Sequence, residues 1–298
     1  MKKIYLFLIA TFTIAALNSC KDMSEDIYQT KCKIQTISSV NHRGESSMST
    51  FIYEKKDVTK ILYENGNYVI IDYAKDRTAQ KVTEYGSTGL TGHTMQMAYE
   101  GKKISEISYF DDNQLIQRIH FYRNEEGIIT RYKLELDIED FMKNMKTNKS
   151  FYNTSINRLI PWENIYTAIQ KANINMSKGN MIETFADISI VGGNITQVST
   201  SIDLDMFQLS SISNFTFDDK NNPYRGLCYA LFDALSLNSN NITSANSKVT
   251  GSFMEYEISM TTSYTYNEKD FPVKSVEMGG ISYASESEVI NTEITYTK

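Results

Sequence analysis

The sequence has few of the residues that disulfide-stapled or metal-bound proteins need. Its 298 residues include three Cys, three Pro, three His and one Trp. The cysteines are too few for a disulfide scaffold. The histidines (His42, His93 and His120) stand tens of residues apart, unlike the closely spaced ligands of a zinc site. We therefore expect no metal and no cofactor, and we interpret the histidines as isolated surface residues, with His120 facing solvent.

Net positive charge and long apolar runs are also lacking. The formal net charge is −6, whereas a protein that binds nucleic acid needs a basic stripe, so nucleic acid is not an expected partner. The same balance argues against a polybasic membrane patch and leaves acyl chains to do any anchoring. The apolar run at residues 4–17 is shorter than the ~20 residues that cross a bilayer.

That apolar run belongs to a leader. Lys2 and Lys3 precede it and Leu17-Asn18-Ser19-Cys20 follows it, which is the order of regions in a secretory signal peptide. A cysteine at the cut point resembles the lipobox of bacterial lipoproteins, whose thiol is diacylated and whose new amine is then acylated. The resemblance implies a signal peptide at residues 1–19 and a lipid, such as palmitate, on Cys20. Without the two leader lysines the formal charge becomes −8.

The expected lipid site, Cys20, is the first residue of an acidic tether that spans residues 20–30. Its start, residues 21–26, resembles the Lys/Asp/Glu-rich signal that sends such lipoproteins to the outer face of the outer membrane. We expect a lipid-anchored outer-membrane protein, located at either the periplasmic or the cell-surface face of that membrane.

Two cysteines remain besides Cys20. Cys32 and Cys228 allow one disulfide in an oxidising compartment. Two unpaired, partly buried thiols are the alternative.

The sequence is rich in strand-forming residues. It contains 20 Tyr and 14 Phe, and aromatic and β-branched side chains suit a half-buried pleated surface. Six segments share one order of side chains. An apolar residue is followed by two polar residues, then by an apolar one, a polar one and usually another apolar one. The second half of this pattern alternates as a strand with one wet face does, and the three-residue step at its start predicts a bulge at strand entry. The segments are residues 58–63, 104–109, 116–121, 129–134, 195–200 and 273–278.

Each copy follows a polar turn that an aromatic residue often precedes, as in residues 99–103 and 266–270. Residues 64–67 are the plainest hairpin turn. The pattern resembles the YD-type hairpin repeat, and in particular a Bacteroidetes-type outer-membrane lipoprotein family whose domain has no assigned function. The likeness covers residues 50–135 and 185–298. It implies a hairpin fold and is nearly silent on function.

The predicted fold is mainly β: an antiparallel meander or hairpin sheet, either open, a half-barrel or two sheets, with one or two short helices. Helical spacing of apolar residues occurs at residues 161–169 and more weakly at 137–146. A polar joint near residue 149 suggests an N-terminal β half at residues 31–149 and a helix plus C-terminal β half at residues 150–298. The two halves could also form one continuous domain.

Motif searching finds no catalytic constellation. Adjacent carboxylates fall mostly at expected turns, at 111–112, 125–126, 139–140 and 218–219, and the glycines at 192–193 indicate a hairpin. We expect most aromatic rings to pack inside or to pair across strands, with a few on a binding face.

No catalytic, cofactor-binding or metal-binding residue is therefore predicted, and the expected function is a lipid-anchored cell-envelope binding or interaction protein. Its partners would be the membrane, through the lipid, and a glycan or envelope protein. A lipid or lipoprotein carrier with an apolar concave sheet is one alternative. A glycan hydrolase that uses paired carboxylates is another.

Overall fold

The strands of this protein close into a barrel. The computed structural model describes residues 32–137, 181–204, 207–227, 234–251, 254–282 and 288–297. Sixteen antiparallel strands pair in chain order, and the last pairs back with the first. They are β1 Ile34–Asn41, β2 Ser46–Glu54, β3 Asp57–Tyr63, β4 Tyr68–Tyr73, β5 Ala79–Gly86, β6 Gly89–Glu100, β7 Lys103–Asp111, β8 Gln114–Arg123, β9 Ile129–Asp137, β10 Met181–Val191, β11 Asn194–Leu204, β12 Phe207–Phe217, β13 Ile242–Gly251, β14 Met254–Tyr266, β15 Pro272–Ile281 and β16 Glu288–Tyr296.

The predicted fold class is wrong. The sheet is not open, half-closed or split, because β1 pairs with β16 from Ile34↔Tyr296 to Asn41↔Ile290. Closure joins the two ends of the chain, and such a long-range pairing leaves no trace in local periodicity. Strands from both predicted halves belong to this one sheet. The predicted helices at 137–146 and 161–169 fall almost entirely outside the described residues.

Helical backbone within the described ranges is confined to α1, Ala234–Leu237. It lies in the long connection between β12 and β13. No helix in the described part of the chain has the length and apolar character needed to cross a membrane.

The repeat segments lie on strands and carry the bulge that the sequence predicted. In β7, Ile104 pairs with Tyr99 and Glu106 pairs with Ala98, so Ser105 has no opposite residue. The same one-residue slip occurs at the start of the segments on β3, β8, β9, β11 and β15. A bulge bends its strand and increases the twist, and closed barrels need such bends. The prediction of a bulge at strand entry is confirmed.

Tyrosines join neighbouring strands at the rim where the odd-numbered strands begin. Each ends an even-numbered strand and donates its hydroxyl proton to a carbonyl near the start of the odd-numbered strand before it. The contacts are Tyr73 to Val58 (2.9 Å), Tyr99 to Ala79 (2.7 Å), Tyr264 to Ile242 (2.8 Å) and Tyr296 to Pro272 (2.6 Å). For Tyr73 and Tyr99 these bonds give a physical reason for the aromatic residue that precedes the polar turn, whereas Tyr266 donates to the Asp218 carboxylate.

A Tyr99→Phe variant should lower the free energy of unfolding by about 1 kcal/mol, the usual net value of one such hydrogen bond. The ring stays and the hydroxyl that reaches Ala79 is lost. Urea unfolding would measure the change. Tyr122→Phe is the matched control, because Tyr122 is an exposed tyrosine on β8. Equal losses in the two variants would contradict a specific role for the rim bond.

Candidate functional site

The two faces of the barrel wall differ in polarity. Successive residues of a strand point to opposite faces, and the register pairs carry this alternation round the whole ring. One face forms a single apolar cluster with members on opposite sides of the ring, so it is the interior. Five of its members are fully buried: Val82, Met95, Ile107, Ile116 and Val249.

The outer face carries charged pairs between strands. They occur on opposite sides of the ring and are Lys274–Glu293 (2.8 Å), Lys248–Glu255 (2.7 Å), Arg131–Asp187 (2.6 Å) and Arg118–Glu135 (3.3 Å). A transmembrane barrel instead turns an apolar band outward, and an outward Lys or Arg at the bilayer midplane costs ~2–4 kcal/mol. Charged pairs of this kind are favourable on an outer face that contacts water.

The outer charges form a network on β7 to β10. Lys133 donates to Glu135 (2.9 Å) and to Glu183 (2.7 Å), and its hydrogen bond lowers the pKa of the Glu135 carboxyl. His120 Nδ1 lies 3.3 Å from a Glu106 oxygen. His120 is therefore on the outer face, as predicted, but it is a member of an ionic network and not an isolated histidine.

The interior holds a buried carboxylate–imidazole cluster on β5, β6 and β7, which sequence reasoning missed. Glu84 is fully buried and lies 2.8 Å from His93 Nδ1. His93 Nε2 lies 3.4 Å from Asp111 Oδ1. The hydrogen bond with Glu84 raises the pKa of His93. The interpretation of His93 as a surface histidine is wrong, because its side chain is only 11% exposed.

This arrangement favours a structural role. A buried carboxylate needs charged or hydrogen-bonding partners, and the cluster supplies them from adjacent strands. The Thr91 hydroxyl donates to Glu84 at 3.2 Å and not to His93, so the threonine and the histidine do not form a nucleophile–base pair. The described residues contain no group of three His, Cys, Asp or Glu side chains placed to hold a metal ion.

The cluster predicts a pH dependence of stability. Because the pKa of His93 is raised in the folded state, its stabilisation is complete below its unfolded pKa near 6.5 and is lost as pH rises through the folded value. We expect His93→Gln to cost about 1.5–3 kcal/mol of unfolding free energy in mildly acidic solution, the range for hydrogen bonds to charged groups, and less at pH ~9.

Urea unfolding of wild type and variant across that pH range gives the measurement. His42→Gln is the control, since His42 lies on the exposed β1–β2 turn. A His93→Gln cost that does not change with pH would contradict the charged pair.

The carboxylate pairs singled out in the sequence do not face each other across a cleft in the described part of the chain. Asp111 points inward while Asp112 lies in the β7–β8 turn with φ of 46°. Residues 125–126 are exposed in the β8–β9 turn. Asp218 accepts hydrogen bonds from the backbone N–H of Asn241, in its own connection, and from the Tyr266 hydroxyl on β14. Residues 139–140 lie outside the described residues.

The predicted lipid and cysteine sites are only partly described. Cys32 is buried at the rim where β1 begins, while Cys20 and Cys228 lie outside the described residues. Lipidation of Cys20 and the Cys32–Cys228 bridge therefore stay predictions. The Gly192-Gly193 turn connects β10 to β11 with both glycines at positive φ, so the predicted hairpin there is confirmed.

Most tyrosines on the described strands point inward, as predicted. A half-buried aromatic stack forms on the outer face of β3, β4 and β5. The Tyr68 and Tyr85 rings are parallel within 6° at 5.0 Å, and Lys60 Nζ lies 3.7 Å from the centre of the Tyr68 ring.

Exposed apolar side chains gather beside this stack, on the outer face of β15, β1 and β2. We call Val276, Met278, Val40, Met48 and Ile52 the apolar patch; each is 37–51% exposed. β16 lies between β15 and β1. Exposed Asn291 of β16 pairs with both Val40 and Val276, so a polar side chain divides the patch. Clusters of exposed apolar side chains commonly mark interaction sites. The sequence pattern did not reveal it, because its members come from both ends of the chain.

The described part of the β12–β13 connection lies at the rim where the odd-numbered strands begin and contacts the β10–β11 hairpin. Asn238 Oδ1 accepts a hydrogen bond from the backbone N–H of Ile195 at 2.8 Å, and Asn222 Nδ2 donates to the Asn238 carbonyl at 2.9 Å. Tyr224 and Leu227 pack against the core. The first bond holds the connection against the β10–β11 hairpin, and the second lies within the connection.

No protein-family model matches this chain, and no curated protein matches it. Among solved structures, the chain is similar to a porin-like protein from Bacteroides uniformis ATCC 8492. The identity is 10%, the match covers 89% of this chain and 96% of that one, and the TM-score is 0.49. A similarity this distant does not assign a function, so the proposal below rests on the barrel's own residues.

Proposed function

We propose that this protein is a lipid-anchored binding protein of the bacterial cell envelope that works without catalysis. The observation that supports this proposal is the polarity of the wall: apolar side chains face the interior, and charged pairs such as Lys274–Glu293 face outward. A barrel with this outer face is stable in water. It is not suited to span a bilayer.

Membrane attachment must then come from a part of the protein other than the barrel wall. Each outward Lys or Arg would lose ~2–4 kcal/mol at the bilayer midplane, so the described barrel does not supply the attachment. The proposed lipid on Cys20 supplies it, after the leader has directed export. Each buried CH₂ of an acyl chain contributes ~0.8 kcal/mol, and stable anchoring needs more than one chain. A lipidated Cys20 meets that need, and the outer membrane is the proposed location.

Binding is the activity that the outer surface favours. The apolar patch offers Val40, Met48 and Met278 to a partner, beside the Tyr68–Tyr85 stack. An envelope protein or a glycan is the proposed partner class, since apolar and aromatic surface serves both.

The two alternative functions receive less support. A lipid carrier needs inward apolar side chains that are free to receive acyl chains, whereas Val82, Met95 and Ile107 are fully buried. A glycan hydrolase needs two carboxyl groups on either side of an accessible bond. Glu84 and Asp111 instead converge on His93, and Glu84 is inaccessible.

The test of the proposal separates the anchor from the barrel. Fractionation of cells that carry Cys20→Ala asks whether the lipid alone holds the protein at the membrane. Paired substitutions at an inward and an outward position of one strand test whether the outward face of the wall is the polar one.

A further inference from the structure

The turns at one rim of the barrel assemble a basic surface. We infer that this rim rests against the anionic lipid headgroups of the membrane to which the protein is anchored, an inference that rests on the proposed function. We call it the basic rim. It is formed by Lys33, Lys55, Lys56, Lys75, Arg77, Lys102 and Lys103.

The topology places these residues together. They occupy the start of the described chain and the β2–β3, β4–β5 and β6–β7 turns, which all lie at the end of the barrel where β1 begins. Lys55, Lys56, Lys75, Lys102 and Lys103 are exposed. Flexible, exposed lysines suit a lipid surface, because they reach headgroups without a fixed geometry.

Contacts join the start of the described chain to the β2–β3 turn and that turn to the β4–β5 turn. Arg77 Nε donates to Asp57 at 2.9 Å and so joins the β4–β5 turn to the β2–β3 turn. Lys33 donates to the backbone carbonyl of Lys55. Thr78 hydrogen bonds chiefly lower the pKa of Asp76, and the charge of Lys102, from the next turn, adds to that effect.

Charge is distributed unevenly around the same end of the barrel. Four acidic residues, Glu54, Asp57, Asp76 and Glu100, accompany the seven basic ones, which leaves this side of the rim positive. The other side of the rim is acidic on balance, at residues 123–128, 218–225 and 267–271. The whole chain is acidic as well, so the basic rim stands out against the rest of the molecule.

The tether begins at this end of the barrel. Cys32 lies at the rim, and the proposed lipid site at Cys20 is twelve residues upstream. A fully extended segment of that length spans at most roughly 40 Å, so the anchor keeps the basic rim close to the bilayer. A positive surface held near anionic lipids gains about fivefold in binding for each Lys or Arg within a Debye length.

The experiment measures co-sedimentation of purified, full-length Cys20→Ala protein with vesicles, so that acyl chains play no part. Vesicles of equal parts phosphatidylglycerol and phosphatidylcholine are compared with vesicles of phosphatidylcholine alone. We expect binding to the anionic vesicles at low salt, loss of binding at high salt, and no binding to the neutral vesicles. Lys56→Gln with Lys102→Gln should weaken the binding by about tenfold or more.

The matched control is Lys248→Gln with Arg43→Gln, which removes the same charge from two exposed positions, one on the outer wall and one in the β1–β2 turn at the opposite end of the barrel. Its affinity should stay within about twofold of the parent, because these residues lie away from the basic rim. Equal loss in both double variants would mean that net charge and not the rim drives binding, which overturns the inference. So would the absence of binding by the parent. Circular dichroism confirms that each variant is folded.

Failure here is distinct from failure of the proposed function. Vesicle binding by the unlipidated chain does not depend on the anchor, whereas fractionation of Cys20→Ala in cells does. A protein that needs Cys20 for membrane attachment and ignores anionic vesicles would keep the proposed function and lose only this inference.

Discussion

Cys20→Ala is expected to move the protein out of the membrane fraction or to leave it unprocessed with its leader attached. The thiol is the proposed site of diacylation, and without it no acyl chain can form. Each buried CH₂ contributes ~0.8 kcal/mol to membrane binding, so the loss of the chains lowers membrane affinity by many orders of magnitude. Cell fractionation with mass spectrometry of the N-terminus measures both location and processing.

Cys32→Ala is the matched control for this prediction. It removes a buried thiol at the barrel rim and leaves the lipid site intact, so the protein should stay in the membrane fraction. Processed Cys20→Ala protein that still floats with membranes at high salt would contradict lipid anchoring, because high salt also removes any electrostatic contribution of the basic rim.

Met95→Asp should abolish or severely reduce folding, while Gln96→Asp should be nearly silent. The two residues are neighbours on β6 and point to opposite faces. Met95 is fully buried among apolar side chains and Gln96 is exposed. An unpaired carboxylate at the inward position costs about 4 kcal/mol or more, and one at the outward position should change stability by about 0.5 kcal/mol or less.

Urea unfolding of the two variants measures this difference in water. Met95→Leu is the control for the loss of the native side chain, since a swap of similar volume costs under about 1.5 kcal/mol. The opposite order of effects would show that the face with Gln96 is the buried, apolar one and would end the proposal of a barrel with a polar outer wall. The comparison therefore tests the wall polarity directly.

Local sequence predicted much of the local structure. The apolar-x-x-apolar step at Ile104–Ile107 predicted a bulge, and the strand β7 carries one at Ser105. The turn at residues 64–67 connects β3 to β4, with Gly66 at φ of 84°. Alternation, turn residues and bulges are properties of short segments, so a short window of sequence contains the information for them.

The candidate surfaces could not be predicted in the same way. Glu84 and His93 are nine residues apart and meet because β5 and β6 are paired and both side chains point inward. Val40 and Met278 share the apolar patch because β16 joins the two ends of the chain. No periodicity within a segment shows which distant strand will lie beside it.

The sequence by itself determined the strand-rich composition, the alternating faces, the bulged strand entries and the expected lipid site at Cys20. Each follows from residue chemistry within a few positions of the chain. The tertiary structure alone decided that the sheet closes, which of the two alternating faces is interior, and that lysines from three separate turns form one rim. The physical reason is that closure depends on pairing between β1 and β16, and only a closed ring gives every strand an inside and an outside.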